Sequence, residues 1–126
     1  MKSISIVIGG ILLISLVVWK FFLHGVNENV TKDIASGAKV VLLFSAKWCD
    51  TCEKEKPLYE AVKKEFPEVH FYDVSENLNR VEQKRIFKKY AIHGIPTFIL
   101  FRNAKEFNRF SGLKTKAELR EKFSQL

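Results

Sequence analysis

The chain has 126 residues, 47% of them hydrophobic and 28% charged, and a formal net charge of +7. About 100 residues follow an apolar N-terminal stretch, enough for one small domain and too few for two; no internal repeat or low-complexity segment is present. Without Lys2 and Lys20 the charge is +5, and the remaining bases are interspersed with acids, as Lys54, Lys56, Lys63 and Lys64 are among Glu53, Glu55, Glu60 and Glu65. With no basic stripe, this pattern reads as a solvated helix face and argues against a nucleic-acid partner.

Ile4 to Leu23 is a run of twenty residues interrupted only by Lys20, with no acid before Glu28. A helix of that length spans about 30 Å, the thickness of a bilayer's hydrocarbon core. Residues 1–25 are therefore expected to form a membrane anchor and residues 26–126 the domain. The end of the apolar run, Val17 to Gly25, has no A-x-A-like site, which favours an uncleaved anchor over a signal peptide. Trp19 and Lys20 would then lie at the far interface. Lys2 and the terminal amine balance Lys20 and Lys32, so charge counting does not set the orientation. A short N-terminus ahead of a long hydrophilic domain is the usual signal-anchor layout, which predicts an extracytoplasmic domain on the periplasmic side of a bacterial inner membrane. A domain facing the cytoplasm, kept reduced by soluble partners, is the alternative. Only about ten residues, without a long Gly, Ser or Pro tract, join anchor and domain, so the domain would stay near the membrane and suit a membrane-embedded partner.

Along the domain, Asn29 to Ser36 reads as a short helix ended by Gly37, and the apolar run Val40 to Phe44 as a buried strand. Glu53 to Phe66 has helix-forming composition, with Leu58, Ala61, Val62, Glu65 and Phe66 near a 3.6-residue period. Val69 to Val74 alternates as a strand. Asn79 with Glu82 makes a capping-box pattern ahead of a helix whose buried face is Val81, Ile86, Phe87 and Tyr90. Thr97 to Phe101 and Glu106 to Phe110 flank Arg102 to Lys105 as a hairpin, and Thr115 with Glu118 opens a last helix that points Leu119 and Phe123 inward. This order predicts an α/β domain with a central four-stranded mixed sheet covered by helices on both faces. The eleven phenylalanines fall mostly at predicted core positions.

The only two cysteines lie in Trp48-Cys49-Asp50-Thr51-Cys52. Cys49 falls where a strand ends and a helix begins, so free backbone N–H groups and the helix dipole favour its thiolate; Cys52, one turn inside, is expected to be the buried, resolving thiol. Three other readings stand beside a redox pair. A structural disulfide closing so short a loop would gain little chain entropy. A tetrahedral zinc site would have to recruit from His24, His70 and His93, with no second CxxC. Two unrelated buried thiols would leave the neighbouring Trp48 and the helix start without a purpose.

Ala46 to Cys52, Pro57 five residues after Cys52, and Gly94-Ile95-Pro96-Thr97 together resemble the thioredoxin family, over about Val30 to Leu126. The resemblance implies a thioredoxin fold and thiol-disulfide interchange on disulfide-containing proteins, with Cys49 as nucleophile and Cys52 as resolving thiol, and no cofactor or metal. It implies a cis Ile95-Pro96 bond facing the cysteines, a substrate-binding surface of Trp48, Ile95 and Pro96, and a kink at Pro57. Leu43 stands where the family has a buried aspartate, and Phe71-Tyr72-Asp73 aligns with its partner lysine. The proton acceptor for Cys52 is thereby left open among Glu53, Glu55, Asp50, Asp73 and water. Asp50-Thr51 replaces the family's usual Gly-Pro; a carboxylate beside Cys49 disfavours the thiolate and predicts a reducing or weakly poised couple. His93 is either a tuning or substrate-contacting group or an exposed loop histidine. Asn103-Ala104 replaces the family's frequent Asn-Gly, so a longer loop is expected in place of a tight primed turn. The rival functions are a non-catalytic binding or chaperone module, and a copper- or zinc-handling protein using Cys49, Cys52 and His93.

Overall fold

The computed structural model describes Leu13, Ile14 and residues 28–126. Leu13 and Ile14 are helical and exposed; the rest of the expected anchor lies outside the described residues. Among the described residues, no helix is long and apolar enough to cross a membrane. In chain order the elements are α1 (Glu28–Ala35), β1 (Val40–Phe44), α2 (Asp50–Lys63), β2 (His70–Asp73), α3 (Arg80–Lys89), β3 (Thr97–Arg102), β4 (Lys105–Ser111) and α4 (Lys116–Ser124).

The strands form one sheet in the order β2-β1-β3-β4. β1 runs parallel to β2 and antiparallel to β3, which pairs antiparallel with β4 across a bulge at Leu100/Phe101. All five residues of β1 are buried, as expected for a strand covered on both faces. Successive side chains leave a strand on opposite sides, and two cores follow. Val41, Leu43, Phe98 and Leu100 meet Tyr59 and Val62 of α2 and Leu119 and Phe123 of α4. Val40, Leu42, Phe44 and Ile99 meet Val30 of α1 and Ile86 of α3. The Phe123 ring lies 5.2–6.5 Å from the rings of Tyr59, Phe66, Phe71, Phe98 and Phe110, docking α4 on the sheet.

Three sequence expectations need correction. The helix after the cysteines starts at Asp50, at the junction expected after Cys49, but it ends at Lys63, short of Phe66; Glu65 therefore lies beyond the helix, where it is exposed and pairs with Arg120. The capping box of Asn79 and Glu82 is present, but Val81 is 80% exposed and Gln83 is buried in its place. Positions 83, 86, 87 and 90 share one helical face, and Val81 lies about 200° around the axis from Gln83. Finally, the hairpin has no longer loop: Arg102 pairs with Lys105, and Asn103 and Ala104 form a two-residue turn with φ of +54° and +63°. Cross-strand packing sets this register. Phe98 pairs with Phe110, with rings stacked at 4.9 Å, and the bulge at Leu100/Phe101 then shifts the ladder by one residue, so that Arg102 meets Lys105 and only two residues remain to turn the chain.

Candidate active site

β1 delivers the chain to the end of the sheet, and α2 starts there. Cys49 is the N-cap of α2, with extended φ and ψ of −96° and 106°. Its Sγ accepts the Cys52 N–H at 3.2 Å and its carbonyl accepts the Glu53 N–H at 3.1 Å. The sulfur thus takes the place that a serine or aspartate oxygen fills at most helix starts, at the positive end of the helix dipole. Cys49 and Cys52 are joined in a disulfide, with Cα atoms 5.2 Å apart and only 8% and 6% of each residue exposed.

Facing the pair is the loop before β3. Its Ile95-Pro96 bond is cis and Pro96 is buried; Ile95 packs on Ala46, Cys49 and Cys52, with its carbonyl oxygen 3.9 Å from Cys49 Sγ. Thr97 Oγ1 donates to the Gly94 carbonyl at 2.6 Å, and the Gly112 N–H donates to the Pro96 carbonyl at 2.9 Å, so the loop is held from both sides. A match to the thioredoxin family model covers residues 22–125. The chain belongs to the thioredoxin family.

Its relatives agree. The chain is 38% identical over 93 residues to a thioredoxin of Chlamydia trachomatis serovar D, covering 74% of this chain and 86% of the relative. It is 34% identical over 100 residues to a thioredoxin of Geodia cydonium, covering 78% and 88%. The X-ray structure of Fasciola hepatica thioredoxin superposes with a TM-score of 0.63 at 32% identity, covering 78% of this chain and 88% of that one. The Malassezia sympodialis thioredoxin structure, at 24% identity and a TM-score of 0.66, shows the shared fold. The Cys49–Cys52 bridge is accordingly the redox-active pair of a thioredoxin-type thiol-disulfide oxidoreductase, and the readings as a structural bridge or as unrelated thiols fall away.

Around this thioredoxin pair, Trp48 stands 55% exposed beside Cys49. Its indole N–H donates to Gln83 Oε1 at 3.1 Å, and the Arg80 guanidinium lies 5.4 Å from its ring centroid. Gln83 Nε2 in turn donates to the Ser75 carbonyl at 2.9 Å, while Ser75 Oγ donates to the Ser45 carbonyl at 2.6 Å and accepts the Ser45 N–H. Trp48 is thus tied through α3 to the end of β1. Sequence reading missed Gln83; the signal for it was its place one turn before Ile86 on the inward face. Asp50 and Thr51, between the cysteines, are exposed, as is His93. His70, the other described histidine, sits at the opposite end of the sheet with Nδ1 2.6 Å from Asp33 Oδ2. Among the described residues, no three His, Cys, Asp or Glu side chains gather in a metal-holding group.

Behind the disulfide lies a small cavity lined by Leu43, Ser45, Cys52, Glu55, Asp73 and Pro96, with the Lys56–Glu76 ion pair at its edge. Asp73 is committed there: Oδ2 accepts from Ser45 Oγ at 2.8 Å, and Oδ1 accepts the Ser75 and Glu76 N–H groups. Glu55 is 1% exposed. Burial pushes its carboxyl above the usual range, against the opposing pull of a hydrogen bond from the Lys114 N–H and the Lys114 charge.

Proposed function

We propose that this thioredoxin works as a membrane-tethered reductase of protein disulfides, with its domain on the extracytoplasmic side and electrons arriving from a membrane-embedded donor. The observation that carries the catalytic reading is the disulfide at the N-cap of α2, facing the Ile95 carbonyl. Support for the tether comes from the twenty-residue apolar run at Ile4 to Leu23 and the short connection to α1. The reducing direction is supported by Asp50, whose carboxylate adjoins Cys49 and opposes an unusually stabilised thiolate.

In the cycle, the Cys49 thiolate attacks one sulfur of the substrate disulfide, forming a mixed disulfide and releasing the first substrate thiolate. The Cys52 thiolate then attacks Cys49 Sγ; the Cys49–Cys52 bond forms, the bond to substrate breaks, and the second substrate thiolate leaves. Two electrons pass from the dithiol to the substrate and are replaced by the donor. Trp48 shields the sulfurs, and the Ile95-Pro96 loop docks an extended substrate backbone. Asp50, Thr51 and His93, all exposed at or near this face, tune the couple or touch substrate.

Replacing Cys52 with Ser in the full chain should trap substrates on Cys49, and recovery of no mixed disulfides from cells would overturn the assignment. Equilibration with glutathione tests the direction, since a potential as oxidising as that of a dedicated disulfide donor contradicts a reductase. Deleting residues 1–25 should abolish substrate reduction in cells; unchanged reduction would remove the tether from the mechanism.

A further inference from the structure

Cys52 is buried and must shed a proton before it can attack the mixed disulfide, so a base has to reach it inside the fold. Asp50 and Glu53 are exposed to solvent, and both oxygens of Asp73 already accept hydrogen bonds. Glu55 differs on each count. It lies three residues after Cys52 on α2, a spacing that puts the two on neighbouring positions of one helix face. Both line the cavity behind the disulfide, whose free space is on the order of one water molecule. Glu55 Oε2 is fixed by the Lys114 N–H at 2.8 Å. Its Oε1 is, among the described residues, the one buried side-chain nitrogen or oxygen with no hydrogen-bond partner. Buried polar atoms are almost always paired, and an orphan calls for an explanation.

We propose that Glu55 is the proton acceptor for Cys52, taking the Sγ proton through a water in this cavity as the resolving attack proceeds. The balance is complete within the site. The Cys52 S–H bond breaks and a carboxyl O–H forms on Glu55; the thiolate electron pair makes the Cys49–Cys52 bond, and the pair of the broken Cys49–substrate bond leaves on the substrate sulfur. When the bridge is reduced again, Glu55 returns the proton to Cys52. Burial holds the Glu55 proton more tightly than an exposed carboxylate would, which suits a group that exchanges protons with a thiol. The charged groups around it are Lys114 and Glu118 at the start of α4, Asp73 and Glu76 at the end of β2, and Glu53 and Lys56 on α2 itself. The proposal rests on the dithiol reaction assigned above.

The test is a stopped-flow reaction of the reduced full chain with 5,5′-dithiobis(2-nitrobenzoate). Attack by Cys49 releases a first coloured thiolate and attack by Cys52 a second. In Glu55→Gln, which keeps an acceptor for the Lys114 N–H, the first phase should be unchanged. The second should slow about 10²-fold near neutral pH and lose the Glu55 ionisation from its pH profile, and Glu55→Asp should restore part of both. A wild-type second phase in Glu55→Gln, with unchanged pH profile, would overturn the proposal, as would equal slowing of both phases, which marks a structural role. Absence of both phases in the unmutated protein would instead strike down the dithiol reaction and this proposal with it. Should Glu55→Gln not fold, carbon-13 NMR of the Glu55 carboxyl in the unmutated protein decides. A titration that moves between the oxidised and reduced states supports the coupling, and one that does not move refutes it.

Discussion

Replacing Ala104 with glycine should stabilise the protein, although the substitution removes a methyl group and touches no core residue. Ala104 is exposed at the second position of the β3–β4 turn with φ of +63°. The left-handed region costs an L-residue roughly 1–2 kcal/mol, because Cβ crowds the following carbonyl. Glycine escapes that cost but gives up roughly 0.5–1 kcal/mol through the greater freedom of the unfolded chain. The difference favours Ala104→Gly by about 0.5–1 kcal/mol. For a domain of this size that raises the melting temperature by roughly 2–8 °C. Urea unfolding of the oxidised protein at fixed pH, followed by far-ultraviolet circular dichroism, would show a higher midpoint with the same slope. Ala104→Val supplies the opposite arm: alanine already carries the left-handed penalty, and a β-branched side chain adds crowding and restricted rotamers to it, so stability should fall below that of the unmutated protein. A neutral or destabilising Ala104→Gly would refute the reasoning, as would a neutral Ala104→Val.

Gln83→Leu removes the donor to the Ser75 carbonyl and the acceptor for the Trp48 indole; stability should fall by about 1–3 kcal/mol, with a change in the Trp48 emission spectrum. Phe123→Ala leaves a hole among five aromatic rings and should cost about 3–5 kcal/mol by chemical denaturation, enough to loosen α4. The Asp33 carboxyl is held below the usual range, first by the hydrogen bond from the Tyr72 hydroxyl and then by His70. A depressed carboxyl lends stability above its unfolded value that is lost as pH falls through the folded one, so Asp33→Asn should flatten the acid limb of the stability profile. The same bond pushes the Tyr72 phenol from 10.0 up to about 12. Tyr72→Phe should therefore remove the loss of stability between about pH 10 and pH 12.

The parts of the fold that followed from sequence are those governed by short-range pattern. The unbroken apolar run of β1, the capping boxes of α3 and α4 and the strand-to-helix junction at Cys49 were all readable, since each depends on neighbours within about one helical turn. Val81 and the hairpin turn were misread because their outcome is set by distant partners. Val81 is outward because Gln83 finds Ser75 and Trp48 across the fold, and Ala104 accepts a left-handed backbone because the bulge at Leu100/Phe101 shifts the ladder and leaves only two residues for the turn. The two sulfurs and the cis-proline loop could be paired from family motifs alone. Glu55 could be named only as one acid among several, because a burial of 1% and an unpaired Oε1 belong to the assembled cavity. A helix full of alternating Lys and Glu gives no sign of which glutamate is inward.

The sheet is open along two sides, and its outer strands decide how copies of the chain behave near one another. β2 offers only four residues to an incoming strand. β4 offers seven, but it carries Lys105, Glu106 and Arg109, and its ladder is broken by the bulge at Leu100/Phe101. The Arg109 guanidinium also reaches back to the carbonyls of Tyr90 and Ala91, keeping a charge beside that margin. Short length, charge and a bulge are the devices by which sheets avoid edge-to-edge aggregation. Crowded copies of this domain are thereby discouraged from polymerising through their sheets, even with their hydrophobic strands built almost entirely of phenylalanine, leucine, isoleucine and valine.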